Sequence, residues 1–442
     1  MSSTTAVTAA ALDRWQEAHE LRLQDESAPA WLPERRRQAI RAFRETGFPT
    51  SRDEAWRYTD LGSLTRTPWT VAPEPDGPTL ARAQALLEAT EEPVGTSARI
   101  VLVNGHVAPS LSTGLDASGL EIGTLESGVL QGGEDPLLLS LVPPADHPFA
   151  AINSALFSDA VLVRIPAHAA PAGPVHIVVL SIGGPEAQVA HPRILIHAGA
   201  HSRSAVVVTW RGDAASAFLS NAVGEVRLEE GARLDMLDVQ RQPASLHHVW
   251  NLGVHIERDA AFATCCVQLG AKVARSDLGA RLNAEGAACR LDGVTFLGRR
   301  QHVDVRTHMD HAMPHGQSHQ LWKSVLEDHA RTAFAGTVLV RPDAQKTDAK
   351  QANHNLLLSP DAVSDSVPML EIFADDVKCA HGATVGQLDP DALFFLRSRG
   401  IGVDDAKRML VRAFVDEVPG RIEDEALAEH ARLVLASHLG QS

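Results

Sequence analysis

A mainly β protein with helical flanks is the fold class this sequence predicts, with a parallel β-helix as the leading architecture and a β-sandwich as its rival. Three observations lead there. From Arg99 to about residue 388, short runs rich in Val, Ile and Leu recur between Gly, Asp and Ala turns, as in ARIVLVNG, VHIVVLSIG, SAVVVTWRG and AFATCCVQLG. Long helical patterns do not separate these runs, so alternating βα units are excluded. Turn signals such as EEGAR, ERDAAF and AEGAACR return about every 27 residues without a strict motif, as irregular solenoid coils would.

Taken in order, residues 12–47 read as two helices, punctuated by Pro29 and Pro33 and ended by Gly47. The cluster Arg35–Arg36–Arg37 reads as a solvated helix face. GFPTSRDEAWRYTDL follows as a packed connector with Phe48, Trp56 and Tyr58 as anchors, and residues 70–97 as a linker holding one short helix. The expected division is therefore an N-terminal helical region and linker over 1–97, a β core over 98–388 and a C-terminal helical region over 389–442. In the last of these, Asp389 is an N-cap ahead of Pro390, and three helices are expected at 390–398, about 404–417 and about 422–439. Met409, Leu410, Ala413 and Phe414 form one apolar stripe, and Leu427, Ala431, Val434 and Leu435 another. Capping the open end of the β core is the structural role expected of these helices.

Composition removes several function classes. A formal charge of −15 argues against nucleic acid. The N-terminus lacks a basic and apolar leader, and no apolar run reaches the roughly 20 residues that span a bilayer, so a cytoplasmic chain is expected. Aromatics are 5% of the residues, with a single tyrosine, which suits narrow stacked strands. Cys265, Cys266, Cys289 and Cys379 form no CxxC and no disulfide framework. Adjacent Cys265 and Cys266 must face opposite sides of a strand, one of them core, and Cys289 falls in a turn-like run.

Chemistry-bearing candidates lie in three stretches. In His302–Gln320, the alternation of His302, Asp304, Arg306, His308 and Asp310 with Val303, Val305 and Met309 predicts an outward polar ladder or interface rather than a metal site. Lys346–Ser359 reads as a hydrogen-bonded β-helix turn with buried amides. In Leu370–Gly400, Leu370 and Ile372 share a strand face, and Val377, Cys379 and His381 share another after the Asp375–Asp376 turn. Cys379 and His381 thus project together, roughly 7 Å apart at the backbone. They are either a packed pair or two ligands of an iron–sulfur site, which would then need further ligands from a partner. No GxxxxGK[ST] loop, Ser–His–Asp set or paired-carboxylate constellation stands out, so neither ATP hydrolysis nor stand-alone catalysis is expected.

GFPTSRDEAWRYTDL, KTDAKQANHNLLLS and DVKCAHGATVGQLDPDALFFLRSRGI, in that order, resemble the SufB/SufD family of SUF iron–sulfur assembly proteins, on its SufD side. The KCAHGATVG run disfavours SufB itself, and the other alternative is a β-helix carbohydrate-active enzyme. The resemblance implies a right-handed parallel β-helix core and membership of a SufB–SufC–SufD complex. Its partners would be a SufB-like scaffold and a SufC-like ATPase, the latter docking on the C-terminal helices, where Met409, Leu410 and Phe414 are the candidate contacts. It also implies that His381, with Cys379 as a less certain companion, lies at the SufB interface and takes part in assembling a transient cluster with a SufB cysteine. The isolated chain would then hold no stable cluster and could associate as a homodimer.

Overall fold

The computed structural model describes residues 14–25, 28–125 and 139–440. Its strands are dealt alternately to two sheets. Sheet I carries Phe218–Leu228, Leu246–Ile256, Val273–Leu282, His302–His311, Arg331–Val340 and Val363–Ile372; sheet II carries Arg233–Gln240, Ala261–Gln268, Ala288–Leu297, Gln317–Leu326, Asp348–Leu357 and Lys378–Gly386. Neighbours within each sheet are parallel and one rung apart, so the core is a β-helix and not a sandwich of hairpins. His247 pairs with Val273 and Arg331 with Val363, so the rungs of these strands run from 26 to 32 residues. That variation is why the sequence shows turn signals but no fixed repeat.

One turn of each rung is built the same way. His168, His201, Gly231, Asp259, Gly286, His315 and Lys346 all have positive φ, between 52° and 72°. Each donates its N–H to a carbonyl of the next rung, as in Gly231 to Arg258, Asp259 to Glu285 and His315 to Gln345. Glycine is required where rungs approach most closely: a Cβ on Gly286 would stand 2.2 Å from Asp259 Oδ1.

Between the sheets lies a narrow apolar interior of Val, Leu, Ala and a few large rings. Trp210 and Trp250 pack 5.0 Å apart, and Trp322 lies over Gly293, where a Cβ would meet its ring at 2.1 Å. Cys266 and Cys289 face this interior, whereas Cys265 points outward and is buried all the same. Burial pushes all three thiols up, which leaves them protonated and inert. Cys289 sits on strand Ala288–Leu297 and not in a turn, and Lys346–Ser359 is mostly the strand Asp348–Leu357.

Both outer faces are covered, and here the structure departs from the expectations. The helices Val403–Val415 and Glu425–Leu439 do not cap the solenoid. Val411, Val415, Leu427, Ala431, Val434 and Leu435 pack on the outer face of sheet II, against Val207, Leu237, Cys265, Val294 and Val325. An apolar sheet face is a larger surface to bury than a two-strand end, and it takes the amphipathic helices. Sheet I is covered by the N-terminal helices, Leu32–Thr46 included, through Trp15, Phe43, Trp56, Leu64 and Trp69. Arg36 is not solvated: it is fully buried, donating to the carbonyls of Arg22 and Phe157. The histidine-strip ladder does face outward, but the connector motif buries part of it. Thr59 donates to Asp304 at 2.5 Å, and Arg275 bridges Asp277, Asp304 and the carbonyl of Ala55 with its guanidinium 3.5 Å from the Trp56 ring centre. Between the first strands, Pro148–Leu156 forms a helix buried from Phe149 to Leu156 that the pattern of short β runs does not reveal.

Buried titratable groups give stability a defined pH dependence. Burial pulls His176, His191 and His248 down to about 3, and His247 and His311 to about 4. These rings bind protons only when the chain unfolds, so their contribution is lost as pH falls below about 6.5. Asp238 works in the opposite sense. It is buried in the interior with Trp210 Nε1 donating to it at 2.5 Å, and burial pushes its carboxyl up to about 7. The native state retains that proton where the unfolded chain has lost it, so this term favours folding at low pH and fades as pH rises through about 7. Asp238→Asn should therefore stabilise the chain more at pH 8 than at pH 5, by roughly 2–3 kcal/mol in urea unfolding. An equal effect at both pH values would mean that the carboxyl is not held protonated.

Candidate functional site at the open end

The two ends of the solenoid differ. At the N-terminal end, antiparallel partners close the sheets: Glu121–Thr124 pairs with Val161–Ile165, and His106–Val107 with Ala98–Val103. At the other end, among the described residues, Val363–Ile372 pairs only with Arg331–Val340, and Lys378–Gly386 only with Asp348–Leu357. Both terminal strands therefore present unpaired backbone along one side. Long open edges of this kind invite another strand.

Cys379 and His381 lie on the second of these edges, as the period-2 pattern predicts. Cys379 is in register with Ala349 and His381 with Gln351, whose side chains face the solenoid interior. The pair thus faces inward on the last rung, where nothing stacks above it. Cys379 is half-buried and packs with Val377 against the core, whereas His381 is exposed. The packed-pair reading therefore fits the cysteine but not the histidine. Burial pushes the Cys379 thiol up, with a backbone hydrogen bond from Ala349 partly opposing it. Among the described residues, no group of three or more His, Cys, Asp and Glu side chains is placed to hold a metal. Two adjacent donors are what this chain brings.

The rung beneath is unusually polar. Gln351, Asn353 and Asn355 point into the interior and are buried. Asn355 donates to Asn353 Oδ1 at 2.7 Å, and Ser366 donates to the same oxygen at 2.5 Å. Both amide atoms of Gln351 are buried without a partner, directly below His381. The amide-rich KTDAKQANHNLLLS run carried this signal in the sequence, but not its position under the histidine.

Around the end, apolar side chains stand in solvent. Ile372, Phe373 and Val385 flank the edges, Phe373 being 64% exposed. The helix Pro390–Arg397, capped by Asp389 as expected, buries none of its residues and holds Phe394 72% exposed. Of the predicted docking stripe, Met409 is exposed and Leu410 and Phe414 are half-buried. Phe414 is engaged within the chain: Lys323 Nζ lies 4.5 Å from its ring centre and donates to its carbonyl at 2.8 Å.

Comparison with known proteins shows the family. The family model described as the SUF system FeS cluster assembly SufBD core domain matches residues 180–414, a span that includes both edge strands, Cys379 and His381. The chain belongs to the SufBD family. A second model, for the SufBD protein N-terminal region, matches residues 12–177. Among relatives, a SufBD family iron–sulfur cluster assembly protein of Synechocystis is 29% identical over 85% of this chain and 84% of its own. The iron–sulfur cluster assembly protein SufD of Escherichia coli is 28% identical over 89% of each chain. A SufBD family protein of Mycobacterium tuberculosis is 29% identical over 85% of each. Iron–sulfur cluster assembly in the SUF system is thus the process to which this SufBD chain belongs. No helix among the described residues is long and apolar enough to cross a membrane.

An unpartnered buried amide costs roughly 1–3 kcal/mol. Gln351→Met, which keeps the length and removes the polar atoms, should stabilise the isolated chain by about 1 kcal/mol in urea unfolding. A loss of stability would show that the amide is satisfied when the chain stands alone.

Proposed function

We propose that this chain is the SufD-like subunit of a cytoplasmic SufB–SufC–SufD complex, an assembly partner rather than a stand-alone enzyme. The observation that carries the proposal is the open solenoid end, where two bare strand edges surround an inward-facing Cys379 and His381. A second β-helical scaffold laid against this end would pair the edge peptides, cover Ile372, Phe373 and Val385, and add ligands above the incomplete pair. A SufB-like subunit has the required chemistry, and without it two copies of this chain could cover the same edges. The nascent iron–sulfur cluster is cargo, built at the joint and passed on.

The two donors differ in readiness. His381 is exposed and can offer an imidazole nitrogen to iron without breaking core packing. Cys379 must lose a proton that burial holds and leave its contacts with Val377, which makes it the secondary participant. In the full complex, His381→Ala should leave folding and assembly unchanged while cluster yield, read from iron and sulfide content, falls severalfold or more. Cys379→Ser should have a smaller effect. A His381→Ala complex that matures client proteins at the unaltered rate would remove this residue from the chemistry.

The exposed apolar side of the C-terminal helices is the proposed seat of the SufC-like ATPase, since their other side is spent on sheet II. Truncating these helices would strip that sheet face, so surface substitutions are the sound test. Phe394→Ser with Met409→Ser should keep the circular dichroism spectrum and weaken ATPase-subunit binding by about tenfold or more, as loss of two exposed anchors predicts. Unchanged affinity would put the docking surface elsewhere.

A further inference from the structure

A second site lies away from the open end, along the side of the solenoid. There the short helix Gly62–Arg66 and the turns of successive rungs enclose a cavity of about 800 Å³. Such a volume lies within the usual range for small-molecule sites. The turns are stacked rung on rung: Lys272 O accepts from His302 N at 3.1 Å, and Arg299 O from His329 N at 2.9 Å. Lys272 therefore stands one rung, about 4.8 Å of backbone, from the Arg299–Arg300 pair. All three line the cavity and are exposed, and among the described residues no ion pair engages any of them. Like charges stacked on adjacent rungs repel one another. They do so here in a chain whose formal charge is −15, where random placement would favour a carboxylate neighbour.

The two acidic groups in the lining have local partners. Asp328 Oδ2 accepts from the backbone N–H of Arg299 at 2.8 Å, and Asp361 lies 3.7 Å from His329. Two lining residues carry a polar atom buried without a hydrogen-bond partner, Ser245 Oγ and His247 Nδ1, while the other ring nitrogen of His247 lies 3.1 Å from Ser63 Oγ. His247 is 4% exposed and lines the cavity, so an unsatisfied polar side chain sits in its wall. Ser63, Ser245 and Ser359 add hydroxyls, and the lining contains no Phe, Tyr or Trp on which a planar base could stack.

From the unpaired cations, the hydroxyl-rich wall and the unsatisfied buried polar atoms, we propose that this cavity binds a phosphorylated, hydroxyl-rich small molecule. Phosphate oxygens would neutralise Lys272, Arg299 and Arg300 through charge-assisted hydrogen bonds, and ligand hydroxyls would meet Ser245 and His247. The proposal is independent of the assembly role of the open end.

Calorimetric titration of the full chain at about 150 mM salt, where bare surface attraction is screened, tests it. The probes are a hexose bisphosphate, tripolyphosphate and unphosphorylated glucose. The bisphosphate should bind saturably and more tightly than tripolyphosphate, and glucose should not bind. Tighter binding of tripolyphosphate would overturn the hydroxyl-rich part of the assignment. The triple variant Lys272→Ser, Arg299→Ser, Arg300→Ser should weaken binding by about tenfold or more, as loss of several charge-assisted contacts requires. Asp361→Asn, which removes a competing carboxylate without touching the cations, should tighten it severalfold. No saturable binding at millimolar bisphosphate, or an affinity unmoved by either variant, overturns the proposal.

Discussion

Each rung of this solenoid satisfies its peptide groups on the rung before and the rung after, and the last rung has none after it. The rest of the structure depends on that constraint. The left-handed turn residues from His168 to Lys346 keep successive rungs in register by donating N–H groups forward, and parallel strands do the same across both sheets. Such a ladder cannot finish by itself. At its start, short antiparallel strands fold back and end it. At its finish, the chain leaves Lys378–Gly386 and enters a helix that buries nothing. Unpaired backbone flanked by Phe373 and Val385 is a costly surface to leave in water.

The helical flanks could have been spent on that end, and the chain uses them on the sides instead. The outer face of sheet II presents Val207, Leu237, Cys265, Val294 and Val325, a continuous apolar strip along several rungs. At roughly 25 cal/mol per Å² of apolar area, a strip of that extent outweighs the few side chains at the rim. The outer face of sheet I is partly polar and is covered by a polar device, in which Arg275 links Asp277, Asp304 and the Trp56 segment. A carboxylate as deeply buried as Asp304 is tolerable only with such partners. The connector motif is thus a clasp holding the N-terminal helices to the solenoid. With both sides covered in cis, the strand edges left bare among the described residues are at the end.

Much of this was legible in the sequence because strand alternation writes its face directly. The shared face of Cys379 and His381, the opposed faces of Cys265 and Cys266, the outward ladder from His302 to Asp310 and the Asp389 cap all follow from spacing or cap chemistry, without tertiary information. What alternation cannot write is the identity of the cover. Arg36 looks like its solvated neighbours until Phe157 and the Arg22 carbonyl are brought to it from elsewhere in the chain. The same holds for the C-terminal helices, whose apolar stripes are evident but whose target is not. The helix Pro148–Leu156 was hidden for a different reason: it is mostly apolar and buried from Phe149 to Leu156, so it lacks an exposed polar face by which amphipathic helices are recognised.

The position of the candidate site follows from the same constraint. A column of inward side chains runs along sheet II through Phe262, Cys289, Ser318 and Ala349 to Cys379, and the adjacent one through Leu291, Gln320 and Gln351 to His381. In the earlier rungs these positions are buried in the interior, some apolar and some polar. On the last rung the same positions become a surface, because no rung covers them. A thiol and an imidazole there are set side by side by the geometry of the core, the imidazole exposed and the thiol half-buried. The amides one rung below extend the argument. Gln351, with neither amide atom partnered, lies directly beneath the His381 position. The solenoid interior thus carries buried amides and then an exposed imidazole over its final two rungs, where the ladder ends.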